Sequence, residues 1–502
     1  MSVSIILPNQ LFEKSPIIVM SDIIYLVEDL TFFVKFKYHK MKLVLHRASM
    51  KYYFNFLKKK YNKKKIYYIE YNNIDYDILF SENNIINIYN PIDHDLLKLF
   101  KKYEKKYNNK LNIYDNLLFS ETLQDLNNYH VEKKNYIQNP FYIWQRKRLN
   151  IFMNGDKPLY DRWSFDVENR NKYDKHYIEK KQKINNSSYI KNAKNYIDKH
   201  FFNNYGTYDD FIYPINHSQA KTLFKHFLNN DINSFGKYQD SISMKIYFGS
   251  HSLLSSSINI GLINIQFIIQ QINNKFNKLN NNDKKKYYNN YEAYIRQIIG
   301  WRSYIRYIYV YYGKNLINEN FFNNNQKLSI NIWYDNKKKT NIEIIDFLIK
   351  KTLKYAYLHH IERLMLIGNF FLLTNVKPDE VYKWFMTLFI DAYEYIMVAN
   401  IVMSQYNTES IKIMSKPYFS SANYILKMSD INNKDKVIEI NEEKYNWIEI
   451  WNILFYNFVN KNKIKLKKIY STANYVNILN KKSNQEITNI TNLFNKYIKN
   501  YH

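Results

Sequence analysis

Short apolar runs alternate with amphipathic stretches through the first hundred or so residues. They predict strands at residues 3–7, 23–27, 42–46, 65–69 and 85–89, with helices at 49–61 and 95–105. Strands alternating with helices predict a parallel, doubly wound sheet whose ligands sit at the carboxyl ends of its strands. No glycine-rich fingerprint follows the first strand, so an ordinary dinucleotide site is not expected. From about 112 to 195 the pattern loosens into a polar connector carrying Trp144-Gln-Arg-Lys-Arg148 and Trp163-Ser-Phe-Asp166-Val-Glu168-Asn-Arg170. Beyond about 199 a helical period dominates, at 218–229, 256–273, 291–312, 341–373 and 378–403. Residues 431–444 read as a polar loop, and the tail after 460 holds enough Ile, Leu and Tyr to pack as helices. The expected organisation is an α/β domain at 1–111, a connector at 112–198 and a large all-α domain at 199–502.

Hydrophobic residues make up 46% of the 502-residue chain, enough for a sizeable core. No run of about 18 apolar residues occurs, and the N-terminus lacks the regions of a signal peptide, so a soluble intracellular protein is expected. Lys and Arg number 73 against 45 acidic residues, a net charge of +28 that favours a polyanionic partner. The wealth of Lys, Asn, Ile and Tyr beside only 8 Gly and 8 Pro is also what an AT-rich genome supplies. Charge alone leaves both readings open. Cysteine is absent, which excludes disulfides, thiolate zinc sites, cysteine nucleophiles and a conventional iron–sulfur cluster.

Five segments carry candidate chemistry. In Gly249-Ser-His-Ser252-Leu-Leu-Ser255 a hydroxyl-rich turn feeds a helix, which suits an anion such as pyrophosphate, or simple N-capping. In Glu292-Ala-Tyr-Ile-Arg296-Gln297-Ile-Ile-Gly300-Trp301-Arg302, Gly300 inside a helix suggests close approach of something flat or bulky. The tryptophan otherwise reads as core and the arginines as solvated. In His359-His360-Ile-Glu362-Arg363-Leu364, His360, Arg363 and Leu364 share a helix face. Adjacent histidines point in different directions, so no metal site is expected. Acid–base work beside an anionic or flavin ligand competes there with one core and one surface histidine. Asp391 in an apolar helix needs a partner, and Arg363 is the natural one. Met414-Ser-Lys416-Pro-Tyr418 is a basic, aromatic loop able to contact phosphates and bases, or an ordinary solvated loop.

Taken in order, these segments resemble the deoxyribodipyrimidine photolyase-related proteins, the branch of bacterial (6-4) photolyases and related cryptochromes. The likeness includes Leu7-Pro-Asn-Gln-Leu11, His39-Lys-Met-Lys-Leu-Val-Leu-His46, Phe235-Gly-Lys-Tyr238-Gln-Asp240, Ile295-Arg-Gln-Ile-Ile-Gly-Trp-Arg302, Trp384-Phe385, Asp391-Ala-Tyr-Glu394 and Asn423-Tyr-Ile. It runs from residue 7 to about 430. It implies an α/β antenna domain, a connector and a helical domain holding a U-shaped FAD. Tyr238, Ser252, Leu253, Leu254, Ser255, Trp301, Arg302, Arg363, Asp391 and Asn400 match flavin contacts. His360, beside His359, matches the lesion histidine, and Tyr418 and Met403 match lesion-pocket positions. Trp384 and Trp333 become the photoreduction route, because Phe385 stands where some members carry a redox-active Tyr.

The implied function is blue-light repair of (6-4) photoproducts in UV-damaged DNA, with His360 donating a proton. Cyclobutane dimer repair, a signalling cryptochrome and a flavin-free remnant remain rivals. A lumazine-type antenna is implied, with Glu28 and the Pro8 turn as contacts, and the protein is expected to be monomeric. Ile344, Asn432, Asp435 and about Ile448 stand at the family's cluster cysteines, so no iron–sulfur cluster is expected. Ser256 and Ala399 replace family prolines, and Met397 aligns near flavin N5.

Overall fold

The computed structural model describes every residue except 1, 134–135, 180–182, 314–315, 317, 335–339, 406–417, 432–436, 441–442 and 502. Five strands, β1 (Ser2–Ile6), β2 (Ile23–Val27), β3 (Lys65–Ile69), β4 (Ile85–Tyr89) and β5 (Lys110–Tyr114), form one parallel sheet in the order β3-β2-β1-β4-β5. Val3, Ile5, Ile24, Leu26, Ile86 and Ile88 are buried, as expected of strands covered on both faces.

Two expectations for this domain are corrected. Residues 42–46 are not a strand but the second turn of a helix, Lys40–Lys60. Lys42, Leu43, Val44, Leu45 and His46 are all buried, because the helix is enclosed on several sides, and a short apolar run does not distinguish a buried helix from a strand. The true fifth strand is the half-exposed edge strand β5. It runs across the domain boundary expected at 111, which therefore moves beyond Tyr114.

The helix Lys40–Lys60 joins the sheet domain to the helical remainder. His39 caps it, its Nδ1 accepting from the Met41 N–H, while Nε2 donates to the Leu353 carbonyl at 2.9 Å. Gly206 (φ +70°) lies so close to this imidazole that a Cβ would sit 1.8 Å from Nε2. One turn on, the Lys42 ammonium donates to the carbonyls of Met386 and Ala392 at 3.3 and 2.6 Å. Burial pushes its pKa down to about 7. His46 Nε2 lies 2.9 Å from the Tyr393 hydroxyl.

In the helical part, three of the long expected helices are interrupted. The stretch 256–273 divides into Ser255–Asn259 and Ile265–Asn277, around Gly261 (φ +83°), where a Cβ would meet Phe12 at 2.7 Å. The stretch 341–373 breaks at Ala356 (φ +51°) after Glu343–Tyr355. The stretch 378–403 breaks between Pro378–Leu388 and Glu394–Gln405. Two π-helical turns, Arg296–Trp301 and Glu362–Gly368, widen the remaining helices. The expected loop at 431–444 contains an antiparallel hairpin, Val437–Ile440 with Glu443–Asn446. Ile344 is buried in its helix and Ile448 packs against the core, so ordinary apolar contacts hold these positions. Asn432 and Asp435 lie outside the described residues. Among the described residues, no helix is long and apolar enough to cross a membrane.

Candidate functional site

The helix breaks and π turns turn polar groups toward one cavity. About 1250 Å³ of it is free of protein atoms, its open mouth included. π turns recur at functional sites because the extra residue re-aims side chains. Here the first carries Gln297 and Trp301 into the wall, and the second carries Arg363. Leu254, Ile258, Ile298, Leu364, Phe385 and Met397 supply apolar faces suited to a flat ligand.

Arg363 and Asp391 form a two-pronged pair, with N–O separations of 2.9 and 3.1 Å, while Arg363 Nε donates to the Leu358 carbonyl at 2.7 Å. The guanidinium lies over the Phe389 ring at 4.1 Å. Arg302 donates to Asn259 Oδ1, and Asn259 Nδ2 donates to the Asp391 carbonyl at 2.9 Å, so one asparagine links both sides of the cavity. Asn400 Nδ2 donates to its own helix at the Ile396 carbonyl.

The adjacent histidines diverge. His359 is buried, its ring stacked on His251 with centroids 4.7 Å apart, and its backbone N–H donates to Glu362 at 3.0 Å. Burial and the neighbouring His251 hold its pKa well below the ordinary value. His360 opens into the cavity, 6.2 Å from Trp301 between ring centroids. The surrounding protein and the Arg363 charge push its pKa down, against the pull of Asp166. Asp240, also in the wall, is pushed up to about 7 by burial and by Asp166, with Arg170 Nε only 3.7 Å away.

Residues 4–213 match the sequence profile of deoxyribodipyrimidine photo-lyase-related proteins. A (6-4) photolyase of Agrobacterium fabrum is 30% identical over 351 residues, covering 70% of this chain and 67% of that relative. This chain belongs to the photolyase-related proteins. An uncharacterized protein of Acanthamoeba polyphaga mimivirus is 31% identical over 186 residues, covering 34% of this chain and 93% of that protein. The fold is similar to that of a class III photolyase from Agrobacterium tumefaciens, with TM-score 0.56 and 11% identity over 85% of this chain and 86% of that one. It is also similar to a Synechocystis cryptochrome, with TM-score 0.54 and 9% identity over 85% and 88%.

In this photolyase-related chain the cavity gathers Ser252, Leu253, Leu254, Ser255, Trp301, Arg302, His359, His360, Arg363, Asp391 and Asn400. The remaining sequence-predicted residues lie outside its lining. Tyr238 donates its hydroxyl to Asp174 and packs on Tyr173 and Tyr177. Met403 is buried in its helix, and Tyr418 is half-buried against the core. Residues 414–417 lie outside the described part. Trp384 is fully buried, 5.5 Å from the cavity-lining Phe385, and donates Nε1–H to the Ile332 carbonyl at 3.2 Å, one residue from Trp333.

Other readings need correction. The helix behind the serine turn has only five residues, so its dipole adds little, and backbone and hydroxyl donors remain. The close approach expected at Gly300 is there: a Cβ would lie 3.0 Å from the Tyr142 ring and from Gln138, on a packing helix. Arg296 and Arg306 are buried, not solvated, close to Asp166 and Glu121 respectively. The Glu28 carboxylate accepts from Arg47 at 2.7 Å, Tyr68 at 2.5 Å, Tyr196 at 3.0 Å and the Tyr71 N–H at 3.3 Å, which leaves it committed within the protein and a poor contact for a pigment. Asp93, Asp95 and Glu394 gather around the Lys35 ammonium at 3.2–3.7 Å, so a lysine already balances that acidic group. Asp166 and Asp240 were missed as site residues, although both stand in quoted motifs.

Proposed function

We propose that this protein binds FAD in the cavity and uses blue light to repair (6-4) photoproducts in DNA. The observation that carries the reading is an imidazole, His360, opening into a cavity that also presents the Arg363–Asp391 pair. The cavity fits a flavin: its apolar faces suit a flat ring, and Ser252 and Ser255 bring hydroxyls to one wall. The (6-4) photolyase from Agrobacterium fabrum supports the choice of lesion. Bound flavin would supply light absorption and electron transfer.

The protein's own residues have separable tasks. Ser252, Ser255 and their neighbouring backbone would hold the diphosphate. Arg363 would offer positive charge to the ring system, and Asp391 keeps that guanidinium oriented. Asn259 ties Arg302 to the Asp391 backbone, so the two walls keep their spacing. A phosphodiester brought to the cavity mouth would raise the lowered His360 pKa and favour a proton on the ring, ready for the lesion. Excess Lys and Arg supply phosphate contacts, and the damaged dinucleotide is flipped inward. Trp384, against the cavity-lining Phe385, would stand between bound flavin and Trp333 as a relay for electrons from an external reductant.

His360→Ala should retain the flavin spectrum while (6-4) repair falls by about 10²–10⁴-fold, the range for losing a positioned acid–base group. Repair assays on both lesion types check this. Unchanged (6-4) repair in the variant removes His360 from the reaction. Wild-type activity on cyclobutane dimers alone replaces the lesion assignment, and repair of neither favours a signalling role. Trp384→Phe should slow blue-light reduction of bound oxidised FAD by about tenfold or more, read as bleaching near the flavin absorption maximum.

A further inference from the structure

The connector folds back across the serine turn. Three successive backbone N–H groups converge on the Glu179 carboxylate: Tyr247 donates to Oε2 at 2.8 Å, Gly249 to Oε1 at 2.7 Å, and Phe248 to that same oxygen. Consecutive amides aimed at one point form an anion-binding nest, and here the chain supplies its own anion. Neighbouring residues tighten the contact. The Tyr177 and Ser250 hydroxyls are 3.2 Å apart. Asp174 accepts from Lys237 at 2.8 Å and from Tyr238. Tyr173 packs so tightly on Gly249 (φ +57°) that a Cβ there would lie 2.0 Å from its hydroxyl.

The turn needs such support. Leu253 takes a left-handed backbone (φ +56°), which a leucine adopts only when its surroundings over-determine it. The His251 ring lies between the carbonyls of Phe248 and Gln239, 3.0 and 3.1 Å from its two nitrogens, and in its neutral form donates to one of them. The far side of this strained turn, His251 to Ser255, is cavity wall.

We propose that residues 171–179 are a strap, and that Glu179 is a positioning residue locking the 247–255 turn in the shape that receives the cofactor. Cofactor leaves when the strap releases. The second half of this statement rests on the flavin reading; the first does not. Because Glu179 already occupies the amides of 247–249, the donors left for an anionic ligand are those of 252–255.

The test uses full-length wild type, Glu179→Ala and Glu179→Gln, each with and without added FAD. Hydrogen exchange at amides 247–249 should quicken about tenfold or more in the alanine variant without FAD, since each loses a charge-assisted acceptor. Glu179→Gln keeps an acceptor oxygen and should fall between. FAD release, followed as recovered flavin fluorescence, should quicken about tenfold in the alanine variant while its melting temperature stays near wild type. Unchanged exchange overturns the strap. Faster exchange with unchanged release overturns its link to the cofactor. A wild type that takes up no FAD ends the flavin reading, and exchange alone then decides the strap.

Discussion

Arg363→Ala should lower the stability of the flavin-free protein by about 3–5 kcal/mol, the cost of leaving a buried carboxylate without its partner. Asp391 is 7% exposed, and its chain neighbours Ile390 and Ala392 are fully buried, so water reaches the abandoned charge only from the cavity side. Asp391→Asn should cost less, because Arg363 keeps its bond to the Leu358 carbonyl and faces the open cavity. Thermal melts of the two variants check the ordering. Equal losses would show that the pair is not the local source of stability.

Acid should destabilise the wild type below pH 6.5. His39 and His251 are pushed down to about 4 and His46 to about 3 by burial, and His359 lies well below its ordinary value. These groups stay neutral in the folded state and protonate near pH 6.5 once unfolded. Their contribution is fully present above pH 6.5 and is lost as pH falls toward the folded values. Each costs about 1.4 kcal/mol per pH unit in that window, so four together approach about 5 kcal/mol between pH 6 and 5. Asp240, raised to about 7, and Asp93, Glu292 and Glu362, each raised by burial, work the other way, because their folded forms take up protons first. The net loss is therefore smaller than the imidazole sum. Melting temperature followed from pH 7.5 to 5 should drop, and a flat profile would mean that the carboxyls fully offset the imidazoles.

Much of this architecture was legible because apolar spacing reports burial. Four of the five strands, and the pairing of Arg363 with Asp391, follow from it: a lone carboxylate in an apolar helix demands a cation, and the helix carrying Arg363 offered one. Residues 42–46 misled for the same reason. Their burial is real, but enclosure on several sides erases the period that separates helix from strand. The breaks at Ala356 and near Asp391 carry no glycine or proline, since tertiary contacts impose them. Glu179 was invisible because its partners are backbone amides almost seventy residues away, and an amide has no letter of its own.

The helix Lys40–Lys60 bears on why the N-terminal domain persists. Lys42 presents its ammonium to the carbonyls of Met386 and Ala392, on either side of the bend that carries Asp391. The sheet domain is thus a buttress for the bend beneath the cavity wall, and would remain indispensable to its shape whether or not that domain binds anything of its own.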